Sequence, residues 1–234
     1  MRGPRLAAGV ALLSLVAAAC LPAPATTEAR DVASLYTIFL AVAAVVAAIV
    51  IGLATWSIVR YRARGSQDLP VQTHGNTRLE ILWTVGPAVT VAALFGFTLV
   101  TLARVDKVET VEPGRGAEIE VTAFRWGWTF TYPAEGITVS GVQEPGPEVV
   151  VPVGEPITVR LNSADVVHSF YVPRFLFKRD VVPGRENVFQ FTVEEPGSYG
   201  GQCAEFCGLY HARMPFTVRA EARADYEIWL AAQR

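Results

Sequence analysis

Two stretches of this chain, Val32 to Val59 and Ile81 to Ala103, contain no charged side chain. About 20 apolar residues suffice to cross a hydrocarbon core, so each run is long enough to span a membrane. A buried helix of a soluble protein is the alternative. The two runs flank a short polar loop, as a transmembrane hairpin would, and this favours the membrane. Composition agrees: hydrophobic residues make up 51% of the 234-residue chain and charged ones 18%, below the usual quarter of a soluble protein.

The charges around the spans give an orientation. "RYRAR" follows the first run, and residues 60–79 hold four Arg against one Asp. By the positive-inside rule the loop 60–80 is cytoplasmic and everything after Arg104 lies outside. Trp56, Tyr61 and Trp83 sit near span ends, where aromatic rings favour the interface. A third, shorter apolar run opens the chain. "MRGPR" followed by "LAAGVALLSLVAAAC" has the basic start, apolar core and small-residue end of a secretory signal, expected to cover residues 1–19. Ala17 and Ala19 form an A-x-A pattern that would make Cys20 the first mature residue. A cysteine there also suits a bacterial lipoprotein; an ordinary signal would be cut at the same bond. The formal net charge of −2 argues against nucleic-acid binding by bulk electrostatics.

From Arg104 the texture changes. An acidic linker, residues 104–116, leads into "AEIEVTAF", "PITVRLNS", "NVFQFTV" and "MPFTVRA", which alternate apolar and polar residues. "EPGP", "PVGEP", "VPGRE" and "EEPGS" supply turns between them. Short alternating strands at this spacing predict an antiparallel sandwich or barrel over residues 117–220. Residues 221–234, with "ADYEIWLAAQR", read as a closing helix.

The stretch "YGGQCAEFCGLYHARMPF" carries the chemistry. Cys203, Cys207, His211 and Met214 fall within twelve residues, and His168 lies upstream in "ADVVHSFYV". Two nearby cysteines in an exported chain are by default a disulfide. Thiolate, imidazole and thioether together are instead the soft donor set that selects copper. Cys, His and Met on the loop before a final strand, with a second His on an earlier strand, is how a blue-copper sandwich assembles its site. Such a site needs one cysteine; two thiolates can bridge two copper ions, with Met214 and a backbone carbonyl of the Cys–Cys turn, where Glu205 sits, as further donors. Zinc is the rival, since Cys2His2 is a structural zinc set, but zinc has no need of Met214. A catalytic thiol would lack a free neighbouring base once the histidines are ligands.

These residues resemble subunit II of the haem–copper cytochrome c oxidases, whose signature is C-x-E-x-C-G-x-x-H-x-x-M. "HSFYVPRFLFKRDVVPGR", "AFRWGWTF" and "LEILWTVGP" resemble further family segments. The resemblance implies a two-helix transmembrane hairpin followed by an all-β, cupredoxin-like Greek-key domain. It implies a dinuclear copper A centre held by His168, Cys203, the Glu205 carbonyl oxygen, Cys207, His211 and Met214. It further implies a magnesium ion, shared with subunit I, on the Glu205 side chain. Trp126 would be the entry point for electrons from cytochrome c, and Trp128 a core aromatic. Glu80 would stand at the mouth of a proton path, against its plain reading as a charge at a helix start. Thr131 stands where the family often carries glutamate. No C-x-x-C-H occurs, so the chain binds no covalent haem of its own; His74 reads as a solvated loop residue.

The implied function is electron entry into a respiratory cytochrome c oxidase of a bacterial cell membrane. The partners would be subunit I, with its haem and oxygen-reducing, proton-pumping machinery, subunit III, and a cytochrome c donor. From Arg104 onward there are thirteen basic and eighteen acidic residues, a balance that would steer a basic donor. A quinol-oxidase subunit would lack the copper ligands, and nitrous oxide reductase is a larger soluble enzyme. A membrane-anchored binding module with a Cys203–Cys207 disulfide is the non-redox alternative.

Overall fold

The computed structural model describes residues 21–62, 72, 74–112 and 114–233. The signal-like segment 1–19, Cys20 and residues 63–71 and 73 of the 60–80 loop lie outside the described residues. The described residues form two compact units: one within Ser34–Leu102, and one of residues 21–33 together with the chain from Ala103 onward.

The first unit is the apolar one. Helix α1 runs Thr27–Arg60 and α2 runs Thr77–Val105, so both helices outrun the charge-free stretches inside them. At 1.5 Å per residue, the 23 charge-free residues of α2 rise about 34 Å, enough for a core about 30 Å thick. Neither helix buries its most apolar window, and large side chains such as Ile51, Leu53, Val91 and Phe95 stand exposed around the helices. A helix apolar on all sides is stable only where its surroundings are apolar too. Asn76 caps α2, its Oδ1 accepting the N–H of Arg78 at 3.1 Å and of Leu79 at 3.3 Å. The hydroxyls of Thr84, Thr90 and Thr98 each donate to the carbonyl four residues back, so none is left unpaired. At the end of α1, Trp56 and Tyr61 meet edge to face.

The second unit is a ten-stranded sandwich. Its strands are β1 Ala117–Phe124, β2 Gly127–Tyr132, β3 Ile137–Val142, β4 Glu148–Pro152, β5 Pro156–Ser163, β6 His168–Val172, β7 Phe177–Val181, β8 Asn187–Thr192, β9 Gly197–Cys203 and β10 Pro215–Glu221. One sheet has the order β3-β2-β1-β5-β8, the other β4-β10-β9-β6-β7. The alternating patterns point inward as expected: Ile119, Val121 and Ala123 of β1, Ile157, Val159 and Leu161 of β5, and Phe216, Val218 and Ala220 of β10 are all buried. The sheets are not purely antiparallel, however. β1 pairs parallel to β5, and β4 parallel to β10. Each parallel pair joins strands far apart in the chain, and alternation fixes which face is buried but says nothing of direction.

Aromatic rings fill the space between the sheets. Phe170, Phe189, Phe216 and Trp128 touch in a chain of contacts with centroids 4.6 to 6.3 Å apart. Tyr132 of β2 reaches across to the other sheet, where its hydroxyl donates to the Val150 carbonyl and accepts the Val150 N–H, both at 2.8 Å. Burial raises its phenol pKa, the Val150 contact opposing only in part, so the hydroxyl stays neutral. Helix α3, Arg223–Ala232, closes this end, with Trp229 against Tyr132 and Tyr226 buried.

The segment before α1 belongs to this unit too. Ala25 N–H donates to Arg174 O, Glu194 N–H to Ala25 O, and Arg174 Nε to Ala23 O. Thr192 N–H donates to the Glu28 carboxylate, and Arg30 pairs with Glu194. Thr26 is fully buried, and its hydroxyl caps α1 through the N–H of Ala29 at 3.0 Å.

Candidate metal centre

The site is built where β6, β9 and the loop from β9 to β10 meet. β9 ends in Cys203, which lies beside Phe170 of β6. The loop that follows leaves β9 and returns to β10 at almost the same point: Cys203 N–H donates to Met214 O at 3.2 Å. Everything between is a closed excursion carrying Glu205, Cys207 and His211. A second bond, from Trp128 Nε1 to Met214 O at 3.1 Å, fixes the loop's end to the core. The fully buried Trp128 is thus both a core aromatic and a support for Met214.

His168 opens β6 and is fully buried. Its Nε2 lies 2.9 Å from Asp165 Oδ1. An ionised carboxylate only accepts, so Nε2 carries the hydrogen and the Nδ1 lone pair faces Cys203 Sγ, 3.8 Å away. Asp165 is itself held by the N–H of Val166 at 2.6 Å and by the N–H of Arg125 at 2.8 Å. Burial would raise the Asp165 carboxyl; the bonds from His168, Val166 and Arg125 outweigh it and hold the pKa down at about 2. A carboxylate behind an imidazole is the usual way a metal-binding histidine has its tautomer and ring plane set.

The other donors gather around the two sulfurs. Cys203 Sγ lies 3.9 Å from Cys207 Sγ and 3.3 Å from the carbonyl oxygen of Glu205. Cys207 Sγ lies 3.6 Å from His211 Nδ1 and 3.9 Å from Met214 Sδ. Both thiols are free and buried, so the structure shows no disulfide here. Donor atoms of His168, Cys203 and Cys207 all lie within 4.8 Å of one another. Burial disfavours both thiolates. The contacts with His168 and with the backbone of Glu205 and Ser169 together outweigh it at Cys203, whose pKa falls, while the neighbouring Cys203 charge adds to burial at Cys207, whose pKa rises. A second proton leaves such a pair readily only when a cation takes its place. Two thiolates, two imidazoles, a thioether and a carbonyl fit soft copper ions, and the arrangement fits a dinuclear copper A site.

The remaining candidates fall in different places. Glu205 turns its carboxylate away from the sulfurs into an ion pair with Lys178, whose Nζ also meets Asp180 Oδ1 at 2.9 Å. Trp126, in the β1–β2 turn, packs onto the ligand loop. Its ring stands edge to face against Tyr210, centroids 5.0 Å apart. A Cβ at Gly208, where φ is +120°, would lie 3.2 Å from Trp126 Cζ2; glycine is what allows this approach. Glu80 lies in the first turn of α2, in the other unit. Asp165, Arg125 and Tyr210 were not singled out by sequence. The one available signal was the position of Asp165, three residues before His168.

Two helices long and apolar enough to cross a membrane, followed by a cupredoxin-like sandwich with a sulfur–imidazole cluster, define the class: a membrane protein with a candidate metal-binding β-domain. Comparison with known proteins narrows this. The family model for the cytochrome c oxidase subunit II periplasmic domain matches residues 139–221, and that for the subunit's transmembrane domain matches residues 14–99. Cytochrome c oxidase subunit 2 of Alkalihalophilus pseudofirmus is 38% identical over 192 residues, covering 81% of this chain and 54% of that protein. This chain therefore spans about half the length of that relative. A protein of Streptomyces avermitilis named "Probable cytochrome c oxidase subunit 2" is 32% identical over 247 residues, covering 88% of this chain and 76% of its own length. The crystal structure of the periplasmic domain of cytochrome oxidase subunit II of Bradyrhizobium japonicum aligns with a TM-score of 0.48 and 32% identity, covering 53% of this chain and 96% of that one. The chain belongs to the cytochrome c oxidase subunit II family.

Proposed function

We propose that this chain is the electron-entry subunit of a respiratory cytochrome c oxidase in a bacterial cell membrane, with its sandwich on the outer side. The observation that carries this reading is the convergence of His168, Cys203 and Cys207 donor atoms within 4.8 Å, with His211 and Met214 against the second sulfur. His168, Cys203, Cys207, His211, Met214 and the Glu205 carbonyl oxygen would hold a dinuclear copper A centre. When bound there, the copper pair supplies one-electron chemistry shared over two metals.

The chain's own residues do the rest. β6, β9 and the closed loop fix the donor atoms, so little has to move when charge is gained or lost. Asp165 keeps the His168 lone pair aimed inward. Trp126 would take the electron from an external cytochrome c at the surface of the ligand loop. The electron would then pass to haem in subunit I, where oxygen is reduced to water and protons are pumped. The Glu205 carboxylate would serve a magnesium ion shared with subunit I, in place of its bond to Lys178. Glu80 would stand at the entrance of a proton path, and subunit III is a further expected neighbour. Residues 1–19 would be removed as a signal, with Cys20 available for lipidation.

Metal analysis together with visible and near-infrared spectroscopy of the matured, purified chain tests the reading. Two copper ions per chain and a mixed-valence dinuclear spectrum are expected, and Cys207→Ser should abolish that spectrum. Copper-free protein, zinc in place of copper, or a spectrum that survives Cys207→Ser would overturn it.

A further inference from the structure

The indole of Trp126 is held in an unusual way. Its Nε1 is buried and has no hydrogen-bond partner among the described residues. Buried indole N–H groups usually find one, as Trp128 does on Met214 O. No polar bond therefore fixes the plane of the Trp126 ring, and only its packing does. On the side of the ligand loop that packing is the bare backbone of Gly208 and the edge-to-face ring of Tyr210.

Tyr210 is placed by the same turn that places a copper ligand. His211 N–H donates to Gly208 O at 3.1 Å and Arg213 N–H to Tyr210 O at 2.8 Å. This 3-10 turn, His211–Arg213, starts directly after Tyr210. The orientation of Trp126 and the position of His211 are thus set by one short piece of backbone. Tyr210 is itself 37% exposed, so burial in the core does not explain its large ring.

We infer that Tyr210 is a positioning residue for electron entry: its ring clamps the Trp126 indole against the Cys207–His211 loop and holds it in the orientation through which the electron passes. Tyr210 itself neither binds the metal nor receives the electron. The inference rests on Trp126 being the entry point, as proposed above. It requires the ring and not the hydroxyl, since edge-to-face packing is a property of the aromatic face. Small misplacements of a positioned group cost large factors in rate, so loss of the clamp should be visible in kinetics while the metal site stays intact.

The test uses the assembled, copper-loaded oxidase with soluble ferrocytochrome c as donor, comparing Tyr210→Phe, Tyr210→Leu, Tyr210→Ala and Trp126→Ala. Tyr210→Ala and Tyr210→Leu should lower the limiting rate of electron entry at saturating donor about tenfold. The KM for donor and the near-infrared copper band should not change, and Tyr210→Phe should restore the rate. A metal-free readout accompanies this: 19F NMR of the full-length chain labelled with 5-fluorotryptophan, with Trp126 assigned by its loss in Trp126→Phe. The Trp126 resonance should shift or broaden in Tyr210→Ala and Tyr210→Leu but not in Tyr210→Phe. If only KM rises, Tyr210 is a donor contact and the inference fails. If the copper band changes, Tyr210 supports the ligand loop instead, and it fails again. If Trp126→Ala is slow while the Tyr210 variants are normal, the entry point stands and the clamp is wrong. If Trp126→Ala is also normal, the entry assignment falls and takes the clamp with it.

Discussion

Asp165 is a small residue with a large lever. One carboxylate oxygen fixes His168 Nε2 and the other holds the turn that carries Arg125 and Trp126. Replacing it with alanine should leave the sandwich folded, because the side chain is near the surface, but should free the imidazole to rotate. Loss of such a partner typically costs 10- to 100-fold in metal affinity. Copper retention against a chelator should fall by about that factor in Asp165→Ala, and by less in Asp165→Asn, which keeps an acceptor. Unchanged retention in both would show that β6 alone orients the ring. At this scale the sequence was informative about the donor side chains that gather and silent about what supports them. Cys203, Cys207, His211 and Met214 sit in one loop, so spacing alone suggested a shared site. Trp128 could be recognised as an aromatic of the core, but its bond to Met214 depends on a fold-level approach of residues 86 positions apart. Tyr210 had no mark beyond standing next to a histidine.

Among the elements, β2 and β4 show how the two sheets are tied. Tyr132 satisfies both the N–H and the carbonyl of Val150 from the opposite sheet. In Tyr132→Phe both backbone groups stay buried and lose their partner. An unsatisfied buried group costs about 1–3 kcal/mol, so the variant should be destabilised by at least about 1 kcal/mol, read as an earlier unfolding midpoint of the β-sheet circular dichroism signal. Retention of the midpoint would mean that water or a backbone shift replaces the hydroxyl. The strands themselves were legible because alternation follows directly from the two-residue period of a strand. Their partners were not. Nothing within β1 announces that Ile119 will lie beside Val159 in a parallel pair; that register is set by packing of the whole sandwich.

For the molecule as a whole, the apolar runs announced two helices, and the turn-rich remainder announced a separate β unit. What no local pattern announced is that residues 23–30 are part of that unit. Ala23, Ala25, Glu28 and Arg30 bind Arg174, Thr192 and Glu194, and neither set of residues carries a motif. A fragment beginning at Ala103 should therefore be less stable than the sandwich in the full chain, by roughly 0.5–1.5 kcal/mol for each backbone bond lost. A synthetic peptide spanning residues 21–33 should raise its melting temperature when added back; no effect of the peptide would show that the strap contributes little. The same stitching sets an order of events. Arg30 and Glu194 are 164 positions apart, and contacts that distant are slow to close. During synthesis residues 23–30 must wait, without their partners, until the chain has been made as far as Glu194. A bulky fusion placed just ahead of Ala23 would thus handicap the last stage of assembly of a domain that begins eighty residues later.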